Sequence, residues 1–245
     1  MYKVKQMYRK EYVGESVTVD FAHKDHKWQA TNEFIPNSVI NNQISEQAVV
    51  IGNGLSRKEM DVRLLLNHFG GLLGAKKLQT YGCNALYRDF APDFLVATGP
   101  EIVKEIAQSG YCQDHIVYTT ANYILKYPGK FYLIPQNVPF NSGTVATYMA
   151  CFDGHKKVYM FGMEGQDQEG RNYNMYAGTN GYAAETFSMS PNFWDLSMKS
   201  IFELYPDVDF VRVMPTANAF MPESWKSLPN VRQISKRDFV LEADL

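Results

Sequence analysis

Short, nearly continuous apolar runs alternate along the chain with longer segments in which apolar residues recur every three or four positions. Gln47-Ala-Val-Val-Ile51 is such a run and ends in glycine, as a strand buried on both faces of a parallel sheet does. Leu78 to Tyr81, Pro92 to Thr98, Ile116 to Thr119, Phe131 to Ile134 and Lys157 to Gly162 read as further strands, and Val208 to Val213 as the last core strand. Between them, Arg57 to about Phe69 carries Met60, Leu64, Leu65 and Phe69 at helical spacing, with Ser56 placed to cap its start. Pro100 to Ser109, Ser142 to Phe152 and Pro191 to Leu204 are predicted as the other main helices. This alternation implies an α/β, Rossmann-like fold: a mainly parallel central sheet with helices on both faces and ligands at the carboxyl ends of the strands. Residues 1–46 read as an N-terminal extension packing on the core, with Val17 to Phe21 alternating as a strand and Ile35-Pro36-Asn37-Ser38 as a turn. Residues 47–245 form the predicted Rossmann-like domain.

Composition narrows the partners. With 45% hydrophobic residues, 20% charged residues and a net charge of -2, the chain has no electrostatic claim on nucleic acid. Cys83, Cys112 and Cys151 are odd in number and lack CxxC spacing, which predicts reduced, buried thiols in a cytoplasmic setting. No apolar run approaches the ~20 residues that span a bilayer, and the first ten residues lack the apolar stretch of a signal peptide. A cytoplasmic protein without a membrane span is expected. The 16 tyrosines crowd the segment from Tyr173 to Tyr182, which suits a sugar or base site and an ordinary half-buried core equally.

The candidate chemistry begins at Gly52-Asn53-Gly54-Leu55-Ser56. Where a buried strand turns into a helix, glycines let the backbone approach a ligand closely, and free N–H groups at the helix start favour a phosphate. The loop is neither GxGxxG nor a Walker A loop, and a tight turn capped by Ser56 is the alternative reading. Asn84 follows a strand, Asn141-Ser142-Gly143 opens a helix, and the loop from Met163 to about Ser190 is rich in hydroxyls and amides. These loops are expected to converge on one rim of the sheet. Glu164 and Asp167 lie at a strand end, where they suit a metal, a sugar hydroxyl or plain solvation, while Glu101 and Asp61 read as first-turn or surface acids. His23 and His26 fall in the extension, His68 ends a helix, and His115 and His155 sit at strand starts, away from the expected site.

Ile51-Gly-Asn-Gly-Leu-Ser-Arg-Lys-Glu-Met-Asp61 resembles the glycine loop of the bacterial sialyltransferases of the Campylobacter lipooligosaccharide kind. Tyr81-Gly-Cys-Asn-Ala-Leu-Tyr87 is similar to their cysteine–asparagine turn, and Ser142-Gly-Thr-Val-Ala-Thr-Tyr-Met-Ala150 with Lys156 to Met163 to their Ser-Gly helix and following strand. The likeness runs in order across roughly residues 47–220. It implies a glycosyltransferase that uses a nucleotide-activated sugar, CMP-linked in the family, and transfers with inversion to an unidentified acceptor without a required cofactor. It implicates Gly52, Asn53, Gly54 and Ser56 of the loop with Asn84, Ser142, Gly143 and Thr144 in nucleotide binding, and Tyr173 and Tyr176 as ligands of the leaving phosphate. The family's general-base histidine has no counterpart here, so Glu185 or Asp167 takes the catalytic role or the reaction differs. The same loop and a Pro92-Asp93-Phe94-type strand also resemble the archaeal 6-hydroxymethylpterin diphosphokinases, whose activity would bring ATP and Mg²⁺. Gly99 stands where those relatives carry an acid, which counts against that reading. A non-catalytic nucleotide-binding protein is the third alternative, and the extension suits either the acceptor side or a homo-oligomer contact.

Overall fold

The computed structural model describes residues 2–11, 15–24, 27–36, 45–60, 62, 78–134, 141–164, 174–184 and 192–245. The extension holds three strands where the sequence predicted one: β1 (Tyr2–Glu11), β2 (Glu15–Lys24) and β3 (Lys27–Pro36) form an antiparallel sheet of their own. Val17 pairs with Tyr8 on one side and Phe34 on the other.

The core sheet starts at β4 (Gln47–Ile51) and continues through β5 (Leu78–Cys83), β6 (Phe94–Val96), β7 (Ile116–Thr119) and β8 (Tyr132–Leu133). Two helices lie along this half, α1 (Pro100–Ser109) and α2 (Ala121–Lys126). Proline in the first turn of α1 and a left-handed Gly110 just past its end explain its boundaries. α3 (Ser142–Phe152) then carries the chain back to β9 (Lys157–Phe161), followed by α4 (Phe193–Leu204), β10 (Asp209–Met214), α5 (Glu223–Lys226), β11 (Val231–Ser235) and α6 (Lys236–Glu242). β1 approaches β8 and α2.

All eight core strands are parallel, in the order β11-β10-β9-β4-β5-β6-β7-β8. The chain builds outward from β4 in one direction, then returns to β9 and builds in the other. The carboxyl ends of β4 and β9 therefore mark the topological switch point, the place where ligands bind in open α/β sheets.

The two faces follow from the period of two along β4. Ala48 and Val50 join a buried cluster with Val145, Met149, Met198, Phe202 and Trp225. Val49 and Ile51 point the other way, into a cluster with Ile102, Ile106, Ile124 and Phe239. Helix α3 is buried along its whole length, which explains why it reads as apolar on every side.

Two expectations are corrected. The strand at Val208 is not the last, because β11 pairs with β10 and α6 follows. And the segment after the glycine loop is a 3-10 turn, Leu55–Glu59, entered from Gly54 with no side-chain cap. The Ser56 amide is drawn into a long-range bond instead of starting an α-helix. Residues 63–77, which include most of the predicted helix, lie outside the described residues.

Candidate functional site

The loops that leave β4 and β9 are tied to each other. Gly52 N–H donates to Phe161 O at 2.7 Å and Gly54 N–H to Gly162 O at 3.0 Å. A Cβ added to Gly52 would sit 2.4 Å from Gly162 O and 2.9 Å from Met163 Sδ, so only glycine fits this crossing. Met163 reaches from here to the entry of α3: a Cβ on Gly143 would lie 3.4 Å from its sulfur. The structure thus brings three of the predicted segments to one place, the β4 loop, the β9 loop and the start of α3.

The anion held by the β4 loop is the protein's own. Ser56 N–H donates to Glu164 Oε1, so this amide, predicted to face a phosphate, is already satisfied by a carboxylate 108 positions away. Asn53 is buried; its Nδ2 donates to Cys83 O at 3.1 Å and to Tyr182 Oη at 3.2 Å, and its carbonyl accepts from Met175 N–H at 2.8 Å. Asn84 adopts a left-handed conformation, φ 46°, and its Oδ1 accepts from Thr98 N–H at 3.0 Å, tying β5's exit to the start of α1. Asn141 caps α3 by accepting from Thr144 N–H at 3.1 Å; Ser142 and Thr144 behind it are buried. Burial pushes the Cys83 thiol up to about 11, which keeps it protonated beside Ser142.

Several polar atoms of this site are buried without a hydrogen-bond partner among the described residues: Asn53 Oδ1, Ser56 Oγ, Asn141 Nδ2, Thr144 Oγ1 and Glu164 Oε2. Below them lies Arg212 on β10, which sequence reasoning missed. It is 1% exposed and donates to Met163 O (3.0 Å), Glu164 O (3.0 Å), Phe220 O (2.6 Å) and Gln233 Oε1 (2.9 Å). Burial lowers its pKa to about 10, and it still carries its charge at neutral pH. The signal was available, since a cation within Val211-Arg212-Val213 on a doubly covered strand must have a built partner set. Asp195, in the first turn of α4, was also missed; burial raises its pKa, with Arg212 opposing.

Residues 174–184 are pinned against the β4 loop. Asn174 bridges Gly54 in antiparallel fashion, and the hydroxyl of the half-buried Tyr182 meets Asn53 and Asn84, with burial pushing its pKa up to about 12. Tyr176, expected to bind phosphate, is turned elsewhere. Its hydroxyl donates to Asp89 and accepts from the buried Arg57 at 2.8 Å, and the Arg57 and Arg88 guanidiniums lie 5.6 Å and 5.7 Å from its ring centroid. Its role here is to anchor the segment. Tyr173, Asp167 and Glu185 lie outside the described residues, as do His26, His68 and Asp61. His155 is buried at the opposite end of the sheet, facing Ser45 O at 2.7 Å and Tyr81 Oη at 3.0 Å, and His115 stacks on Tyr111. All three cysteines are free.

The same segment is latched by an ion pair. Arg88 bonds Glu105 at 2.7 Å and 2.6 Å, Thr179 Oγ1 at 2.8 Å and Asn180 O at 2.9 Å. Hydrogen bonding from Arg88 holds the Glu105 carboxyl at about 2, down from 4.5. Because the folded value lies below the unfolded one, this contribution is complete above about pH 5 and is lost as the pH falls toward 2. Urea midpoints measured from about pH 5 down to 2 are expected to fall less steeply in Glu105→Gln than in the wild type.

Among the described residues no helix is long and apolar enough to cross a membrane, and no three His, Cys, Asp or Glu side chains are grouped to hold a metal. No family model matches the chain, and no curated protein matches it. Among solved structures it is similar to an α-2,3-sialyltransferase from Campylobacter jejuni in apo form, with TM-score 0.44 and 12% identity over 72% of this chain and 78% of that one. It is also similar to the sialyltransferase CstII from Campylobacter jejuni in complex with CMP-3FNeuAc, with TM-score 0.42 and 14% identity over 69% and 80% of the two chains. A likeness this weak assigns neither activity nor substrate to this chain.

Proposed function

We propose that the chain is a glycosyltransferase that binds a nucleotide-activated sugar, CMP-linked in the first instance, in the crevice between β4 and β9, and passes the sugar with inversion to an acceptor. The observation that carries this reading is the set of polar atoms on the β4 loop, the β9 loop and the α3 entry that are buried and without a partner among the described residues. Native proteins leave few such atoms unpaired. Several at the mouth of one switch point call for a ligand with donors and acceptors over its whole length, as a nucleotide has.

In this reading Asn53, Glu164 and the α3 entry hold the nucleoside, Asn84 and Tyr182 support Asn53, and Tyr173 serves as a ligand of the leaving phosphate. Asp167 or Glu185 deprotonates the acceptor hydroxyl as it attacks the anomeric carbon. No cofactor is required, and residues 1–46 form an appended unit beside the catalytic domain.

The test is a panel of CMP-, UDP- and GDP-sugars. At a hundredfold excess over Kd a cognate donor adds about 2.7 kcal/mol, a rise in Tm of about 5–10 °C for a chain this size, with slow release of free nucleotide. Asn53→Ala is expected to lose most of that rise. Absence of both stabilisation and release with every sugar nucleotide overturns the proposal, and stabilisation by ATP with Mg²⁺ alone favours the diphosphokinase alternative.

A further inference from the structure

The two edges of the appended sheet differ. β1 approaches β8 and α2 of the core, while β3 closes the sheet on the far side with no strand beyond it among the described residues. They differ in regularity as well. The pairing of β1 with β2 slips between Arg9 and Glu11, whereas β2 and β3 pair without a break from Glu15 opposite Pro36 to Lys24 opposite Lys27. Bulges, interior prolines and short length are devices that keep an edge strand from pairing with another chain. Over its ten residues β3 has none of these, since its proline is its last residue.

The charges on β3 point to the partner that such an edge accepts. Lys27 and Glu33 are its only charged residues; they are opposite in sign and stand symmetrically about Ala30. Antiparallel pairing with β3 of a second copy, Ala30 opposite Ala30, sets each Lys27 opposite the partner's Glu33, so the pair of opposite charges occurs twice about a two-fold axis. Strand alternation keeps Lys27 and Glu33 on one face, and the two-fold axis keeps that face common to both copies. A slip to a neighbouring register loses both charge pairs, and in-register parallel pairing sets like charges side by side. We propose that β3 is the contact of a homodimer in which two appended sheets join edge to edge into one six-stranded sheet, held in register by Lys27 and Glu33.

The experiment is sedimentation equilibrium of the full chain at concentrations up to about 100 μM. The wild type is expected to reach twice the mass of one chain. Lys27→Glu and Glu33→Lys each place like charges opposite one another at both pairs, and each is expected to weaken the dimer by about tenfold or more. The double variant restores opposite charges in the same register and is expected to return to within about threefold of the wild-type Kd. Within the chain Lys27 pairs with Lys24 and Glu33 with Thr18, so neither reversal adds a repulsion inside the sheet. Circular dichroism and urea midpoints verify that each variant is folded. If a reversed variant does not fold, Lys27→Gln and Glu33→Gln carry the test, each with an expected loss of about threefold. A wild type that stays monomeric throughout overturns the proposal. So does a dimer that the single substitutions leave unchanged, or one that the double variant fails to restore.

Discussion

Replacing Gly52 by alanine is expected to destabilise the protein by about 3 kcal/mol and to abolish nucleotide binding. The new methyl would fall 2.4 Å from the carbonyl oxygen of Gly162 and 2.9 Å from Met163 Sδ. The first contact is with backbone, not with the free end of a side chain, so it is relieved only by moving a strand. Ile51 and Phe161, the strand ends on either side, are both buried and hydrogen-bonded in register, and neither can yield cheaply. The displacement would separate the β4 loop from Met163 and Glu164. In urea the unfolding midpoint should fall with the slope unchanged. Gly99→Ala is the control: its Cβ would meet nothing closer than 3.7 Å at a negative φ, and a change within about 1 kcal/mol is expected. A Gly52→Ala protein as stable as the control would contradict the crossing of the two loops.

Arg212→Met should cost about 3–5 kcal/mol, the usual penalty for removing one member of a buried charged network. Methionine replaces the apolar stem over Trp225 but leaves Met163 O, Glu164 O, Phe220 O and Gln233 Oε1 without this donor. Arg212→Lys should recover little, because one ammonium cannot reproduce a planar fork that serves four acceptors. Two of those acceptors are the backbone that aims Glu164, so nucleotide affinity should fall together with stability. Chemical denaturation and calorimetry on the same preparation test both. A loss under about 1 kcal/mol would show that the guanidinium is not what holds the β9 loop.

The fold was legible where burial is two-sided and local. Residues 47–51 and 157–161 are continuous apolar runs because both faces of those strands are covered, and α1 carries its own boundary marks in Pro100 and Gly110. With the strand order they define the switch point, and Gly52, Asn53, Ser142 and Gly143 lie beside it. β11 was overlooked because it is an edge strand, mostly half-buried, without an apolar run. α6 did carry a signal, the capping box of Ser235 and Asp238 ahead of Phe239. The role of Glu164 was not legible locally. Its contact with Ser56 spans 108 positions, and one carboxylate in a polar loop looks like any other until the two strand ends meet. For the same reason Ser56 reads as a helix cap, while Tyr176 as a phosphate ligand is what the resemblance implied. The first yields its amide to Glu164 and the second its hydroxyl to Asp89 and Arg57.

The central claim is that a nucleotide occupies the crevice between the carboxyl ends of β4 and β9. Difference density from crystals soaked in CMP and ATP together tests it most directly, since it reports both the position and the base selected. The account predicts one nucleotide, CMP, at that switch point, with its nucleoside between Asn53 and the entry of α3. Density for either nucleotide elsewhere on the molecule, with the crevice closed around Glu164, would contradict it.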